Sequence, residues 1–361
     1  MSESLGQVIQ ALELQAGACV QLGSPFSAAV ARAVAADIRT GGAFAALAEP
    51  WVGGDVRSLL ADATPLRFVA GLHFLVLSGD APELAGEYPP ASAELDPERL
   101  ADLVAKTALQ HQGALARFLT SPPQTNEVNR SVCLIGGFLT VARRAGLPLR
   151  CLEIGASAGL NLNWDLYRYD LGDLGGDLSV WGDPGSPVRL GAEWSGGPPP
   201  FDVAASVVER RGCDQNPIDV ALPAQALRLK AYVWPDQTER MTRLDGAIAL
   251  ARLHPPRVEA GDAADWVRAH AHGAPGAATV LYHSVVWQYL PPQTQAAIID
   301  SIVAAGESAT DAAPFVWLRM EPNPADMAGP MELKMNYWPG GDLSLLARVH
   351  PHGAKVSWAG D

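Results

Sequence analysis

Residues 150–162 read Arg-Cys-Leu-Glu-Ile-Gly-Ala-Ser-Ala-Gly-Leu-Asn-Leu. Glu153, Gly155 and Gly159 form the pattern E-x-G-x-x-x-G at the end of an apolar run. Glycine tolerates positive φ and lets a backbone pass close to a ligand. A turn between a parallel strand and a helix is where open α/β sheets bind nucleotides. The spacing is not G-x-G-x-x-G, the dinucleotide fingerprint. A carboxylate just before the first glycine suits a ligand that carries an ammonium group. S-adenosylmethionine (SAM) has one and NAD does not. Glu153, Gly155, Ala156 and Gly159 are therefore candidates to hold the methionine end of SAM, with an ordinary strand-to-helix turn as the alternative.

Three later stretches would complete such a site. Glu209-Arg-Arg-Gly-Cys-Asp214-Gln-Asn216-Pro217 is similar to the second-strand end of many SAM methyltransferases. There Asp214 would accept hydrogen bonds from both ribose hydroxyls, since an ionised carboxylate offers two acceptor oxygens. A turn-forming Asp before Asn-Pro is the competing reading. Glu209 is a weaker ribose candidate because it lies inside the strand. Asp214 follows the glycine turn at well over the roughly 20 residues usual for this geometry, and an insert at about 170–201 absorbs the excess. Asp262-Ala263 stands where an acidic-Ala pair brackets the adenine amino group in such enzymes; Asp262 is equally a good helix N-cap. In Tyr282-His283-Ser284-Val-Val-Trp287-Gln-Tyr289, His283 is the candidate general base. Trp287 or Tyr289 could stack on substrate or adenine. A structural histidine at a strand end is the plainer alternative.

Three polar clusters remain. Gln124-Thr-Asn126-Glu127-Val-Asn129-Arg130 places amides, a carboxylate and a guanidinium one helix ahead of the glycine turn. Asn126, Glu127 and Arg130 are substrate-binding candidates there, and Asn126 could simply cap the helix. Trp234-Pro-Asp236-Gln237-Thr-Glu239-Arg240 opens another helix, and Arg319 with Glu321 ends the fifth strand. No metal site is expected. The only close histidine pairs are His270/His272 and His350/His352, and neither has a ligand set at zinc-site spacing. There is no Gly-x-Ser-x-Gly elbow and no P-loop.

The elements that must carry these groups fall into two halves. Residues 1–146 read as an all-helical domain. Ser24-Pro25 supplies an N-cap and N1 proline before a helix at 26–38 that stops at Gly41-Gly42. Further helices are expected at 66–77, from Asp96-Pro97 onward, and at 126–144 before Gly146. Residues 147–361 alternate short β-like runs with helical ones, which indicates parallel α/β units. Strands are expected at 149–154, 204–213, 257–260, 279–285 and 315–320. An antiparallel pair at 331–337 and 344–350 follows. Residues 160–166 alternate apolar and polar with period two, although a two-turn helix leading into extended 167–169 is expected there.

Composition narrows the partners. The chain has 361 residues, is 48% hydrophobic and carries a net charge of −13 with only 26 Lys and Arg. No basic stripe appears, which argues against a nucleic-acid backbone and for a small-molecule substrate. No uncharged apolar stretch of about 18 residues is present, and residues 1–5 do not begin a signal peptide. Cys19, Cys133, Cys151 and Cys213 are scattered and read as buried free thiols of a cytoplasmic protein.

Beyond single motifs, the chain resembles a bacterial family, domain of unknown function 2332. The matching strings are Pro-Pro-Gln-Thr-Asn-Glu-Val (122–128), Leu-Glu-Ile-Gly-Ala-Ser-Ala-Gly-Leu-Asn-Leu (152–162), Glu-Arg-Arg-Gly-Cys-Asp-Gln-Asn-Pro-Ile-Asp (209–219), Trp-Pro-Asp-Gln-Thr-Glu-Arg (234–240), His-Ser-Val-Val-Trp-Gln-Tyr-Leu-Pro (283–291) and Trp-Leu-Arg-Met-Glu-Pro (317–322). Trp-Pro-Gly-Gly (338–341) and His-Pro-His-Gly (350–353) also match. The resemblance implies a SAM-methyltransferase-like fold and names no reaction. The expectation is an N-terminal helical cap (1–146) followed by a seven-stranded, mostly parallel Rossmann-like sheet (147–361). Its function would be SAM-dependent methyl transfer to a small molecule, with His283 as base. The alternatives are a non-catalytic SAM or nucleotide-binding protein and another nucleotide-using enzyme on the same scaffold.

Overall fold

A computed structural model describes residues 5–91, 94–172, 174, 179–326 and 329–360. The chain forms two compact units, Met1–Thr125 with Leu222–Thr242, and Asn126–Ala221 with Arg243–Asp361. The sequence places the division at residue 146 and treats the first part as one continuous stretch. The structure instead brings 222–242 into the first unit and leaves 126–146 in the second.

The first unit is helical. Its core gathers Leu12, Val34, Phe44, Phe68, Leu72, Leu100 and Val104, contributed by helices that include Gly6–Gln21, Pro25–Thr40, Thr64–Ser78 and Pro97–Gln110. Gly41 and Gly79 end two of them in the left-handed conformation, which glycine adopts without a Cβ penalty. Asp96 caps the helix after it, accepting from the Glu98 and Arg99 N–H groups. Ser24 occupies the N-cap position of Pro25–Thr40, but its side chain makes no capping bond. Asp236 does that work from 210 residues away, accepting from the Phe26 N–H at 3.0 Å and from the Ser24 hydroxyl. Asp236 thus ties the start of this helix to residues 234–240, where Gln237 accepts from Arg240 at 3.0 Å.

The second unit is α/β. Its strands are β1 Leu149–Ile154, β2 Arg168–Asp170, β3 Val180–Trp181, β4 Arg189–Leu190, β5 Glu193–Gly196, β6 Val207–Asp214, β7 Arg257–Ala260, β8 Ala278–Ser284, β9 Phe315–Glu321, β10 Met331–Trp338, β11 Asp342–Val349 and β12 Lys355–Trp358. Nine of them form one sheet in the order β5-β12-β11-β10-β9-β8-β1-β6-β7. Five neighbouring pairs are parallel, and the meander from β9 to β12 is antiparallel. Nine strands rather than seven result because β12 extends the meander and β5, from the insert, pairs with β12 at the edge. The rest of the described insert makes the small sheet β3-β2-β4; residues 173 and 175–178 lie outside the described residues.

The helix Arg130–Ala145 packs directly on this sheet. A Cβ on Gly136 would come within 2.4 Å of Trp358, and one on Gly137 within 2.6 Å of Leu318. That close approach is why 126–146 belongs with the strands. Residues 160–166 form 3-10 turns kinked at Asn163. Leu160, Leu162 and Trp164 are fully buried in them, and the chain then enters β2. All four cysteines are buried and free. No helix among the described residues is long and apolar enough to cross a membrane.

Candidate functional site at the strand ends

The chain leaves β1 for β6 and β7 on one side, and β8 and β9 build the other. Strand order therefore reverses between β1 and β8, the place where open α/β sheets form a ligand crevice beyond their carboxyl ends. The glycine turn lies there. Its backbone is left-handed at alternate residues, Gly155 (φ 67°), Ser157 (φ 53°) and Gly159 (φ 69°). The glycines are needed for packing as well as for φ. A Cβ on Gly155 would meet Val286 Cγ2 at 2.5 Å, and one on Gly159 would meet Pro256 and Val258 at 2.8 Å.

Asp214, at the end of β6, organises this turn. Its Oδ2 accepts from the Ser157 N–H at 2.9 Å and its Oδ1 from the Asn216 N–H at 2.9 Å. Asn126 does the same further along, with Oδ1 accepting from the Leu160 N–H at 2.9 Å; it caps the 3-10 segment rather than its own helix, which starts at Arg130. The Ala156 and Gly159 N–H groups bond the carbonyls of Cys213 and Ala156. The alternating conformation resembles an anion-binding nest, but protein oxygens take these donors.

Glu153 is 2% exposed and accepts from the Tyr282 hydroxyl at 3.2 Å. Burial pushes its carboxyl up to about 8, opposed by the Tyr282 bond and the Arg130 charge. Arg130 donates to the carbonyls of Pro351 (3.0 Å) and Ser284 (3.3 Å), joining the 350–353 turn to the end of β8. Glu127 accepts from the Asn129 N–H at 3.2 Å and stands 3.6 Å from His352 Nδ1. Asn129 donates to the Gly353 carbonyl at 2.9 Å. The 126–130 cluster is thus a brace between the glycine turn, β8 and the His-Pro-His-Gly turn.

The chain belongs to the family described as an uncharacterized protein conserved in bacteria (DUF2332). The family model covers residues 9–358. No curated protein and no solved structure matches the chain.

His283, the candidate base, lies near the end of β8. It is fully buried. Its Nε2 receives the Trp317 indole N–H at 3.1 Å and its Nδ1 lies 2.7 Å from Glu321 Oε1. An indole nitrogen only donates, so Nε2 is bare and Nδ1 carries the hydrogen given to Glu321. Both ring nitrogens are thus engaged by protein groups. Glu321 Oε1 also accepts from the Val286 and Trp287 N–H groups at 3.0 and 3.3 Å. Trp287 stacks on the His283 ring at 5.1 Å and 17°. This knot holds Val285 at φ 58°, a strained conformation for a β-branched residue.

Asp262 follows β7 and caps the next helix, accepting from the Ala264 (2.8 Å) and Asp265 (3.2 Å) N–H groups. Ala263 is buried in that helix. The Gly261 N–H bonds the Asp214 carbonyl at 3.0 Å, tying the β7 and β6 ends together. Glu209 is ion-paired with Arg150 at 2.5 Å inside the sheet. Sequence reasoning missed Tyr282 and Trp317, whose roles depend on which strands become neighbours. Among the described residues no group of three or more His, Cys, Asp or Glu is placed to hold a metal ion.

Proposed function

We propose that this chain is a SAM-dependent methyltransferase acting on a small molecule, with a Rossmann-like methyltransferase sheet as its scaffold. The observation that carries the reading is the placement of three carboxyl groups. Glu153, Asp214 and Asp262 stand at or just beyond the carboxyl ends of the adjacent strands β1, β6 and β7, beside the reversal in strand order. The parallel core in the order β7-β6-β1-β8-β9 supports it as well.

The chemistry of these groups fits SAM. Its ammonium, ribose hydroxyls and adenine amino group are all donors, and the three carboxyls are acceptors. Glu153 would take the ammonium, which supplies the charge partner that burial denies it. Asp214 would take the ribose, and Asp262 beside Ala263 the adenine edge. Gly155, Ala156 and Gly159 would shape the turn against the methionine end. The turn N–H groups already bonded to Asp214 and Asn126 leave little for a phosphate, which counts against a dinucleotide. When bound, SAM supplies an electrophilic methyl group. The protein's contribution is to align an acceptor, and positioning alone can supply much of the acceleration. Trp287 would flank that acceptor, held by His283 and Glu321. Asn126, Glu127 and Arg130 would shape the pocket through the turns they brace. The net charge of −13 favours a small acceptor over nucleic acid.

Thermal unfolding tests the reading. SAM or S-adenosylhomocysteine should stabilise the protein, by about 2.7 kcal/mol at a hundredfold excess over Kd, and NAD should not. Asp214→Ala should abolish the shift. No shift with either adenosyl compound would overturn the proposal, and normal binding by the variant would overturn the role of Asp214. The occupied nitrogens of His283 favour a second reading, a SAM-binding protein without catalysis. Binding without transfer of labelled methyl to a bacterial small-molecule extract would decide for it.

A further inference from the structure

Successive strand residues point to opposite faces of a sheet. In the β1-β8-β9 register Glu153 pairs with Tyr282 and Tyr282 with Leu318, while His283 pairs with Arg319. Arg319 therefore lies on the face opposite Glu153, together with His283, Trp317 and Glu321. Its guanidinium stacks 3.8 Å from the centre of the Trp317 ring. One N–H donates to Asn336 Oδ1 at 2.8 Å. Among the described residues no carboxylate comes within ion-pairing distance of it. Burial alone pushes it down to about 10. A half-buried guanidinium without a counter-charge is costly, because a desolvated ion needs a partner.

Stacking on an indole leaves the in-plane donors of a guanidinium free and fixes their direction, the geometry that grips an oxyanion through two parallel bonds. Lys334 stands directly across from Arg319 on β10. The acidic neighbours on this face are occupied: Glu332 is ion-paired with Lys334 and accepts from Asn323 at 3.3 Å, and Glu321 accepts from His283, Val286 and Trp287. Trp287 stands 5.7 Å from the Trp317 ring on which the guanidinium stacks.

We propose that Arg319, stacked on Trp317 with Trp287 next to that ring, is a binding site for a small aromatic oxyacid, whose carboxylate or phosphate the guanidinium holds through two hydrogen bonds. The site rests on Arg319 and does not depend on SAM binding.

Calorimetric titration of the full chain with benzoate, phenyl phosphate, acetate and the neutral analogue benzamide tests it. At least one aromatic acid should bind, and which one does identifies the oxyanion. It should bind at least about tenfold more tightly than acetate or benzamide. Arg319→Met should weaken it by at least about tenfold, and Arg319→Lys, which keeps the charge but not the fork, by less. In the unmutated protein, phenylglyoxal should label Arg319, as read by peptide mass, and the bound acid should slow that labelling. This second measurement applies even if the Met variant fails to fold. The proposal falls if neither aromatic acid binds, if Arg319→Met binds as well as the parent, or if labelling is unchanged by the acid.

Discussion

Glu153 and Glu321 are both buried at the carboxyl edge of one sheet, at the ends of β1 and β9. The Tyr282 hydroxyl meets Glu153 at 3.2 Å, on the face where the helix Arg130–Ala145 packs its Phe138 against Tyr282. Three donors converge on a single oxygen of Glu321: His283 Nδ1 and two backbone N–H groups. Donors to a carboxylate offset what it loses by leaving water, and burial without them favours the protonated acid. Glu321 is therefore a fixed structural anchor. Glu153 is an acid whose burial favours the protonated form near neutral pH.

Removing the anchor should have the largest effect. Glu321→Ala leaves the His283 hydrogen and two backbone donors without acceptors, which should cost about 3–5 kcal/mol in urea unfolding. A loss below about 1 kcal/mol would erase the contrast with Glu153.

Glu153 should reveal itself through pH. Its folded value, about 8, exceeds the roughly 4.3 of an unfolded glutamate. Between these values the folded state binds more protons, so stability falls as pH rises. Below about pH 4 the group carries no penalty, and by about pH 8 the penalty is complete. Glu153→Gln should match the parent near pH 4 and become progressively more stable than it as the pH rises toward 8, measured by denaturant titration at each pH. An unchanged pH profile would mean that Glu153 is ionised in the folded protein.

Gly155→Ala should have the smallest effect, about 1–2 kcal/mol, from a side chain at positive φ pressed on Val286. Adding Val286→Ala should recover the packing part and leave the backbone part. Full recovery would show that φ costs nothing here and that the glycine serves only to admit Val286.

Much of the sheet was legible because local patterns coincide with local structure. The 149–154 and 257–260 runs are strands with those limits, and each begins directly after a proline (Pro148, Pro256) that marks where the preceding segment stops. The antiparallel pair near the C-terminus also forms. The additional strands β5 and β12 were not legible. They are four residues each and gain their ladder only from each other and from β11. Asn126 and Asp262 look like helix caps in sequence, and only Asp262 caps the helix that follows it.

The sequence by itself determined the residue types: a carboxyl before a glycine turn, acidic groups after two more strands, and a histidine four residues before a tryptophan. Those choices are local, because the left-handed turn needs glycine and the strand ends need polar groups that can face water or a ligand. Tertiary structure decided which of these groups stay available. Strand order and register set the Trp317 indole and the Glu321 carboxyl on the two nitrogens of His283, buried Glu153 beside Tyr282, and stacked Arg319 on Trp317 without a carboxylate partner among the described residues. A side chain's charge and hydrogen bonding depend on neighbours tens of residues away in the chain, and only packing brings those neighbours within reach.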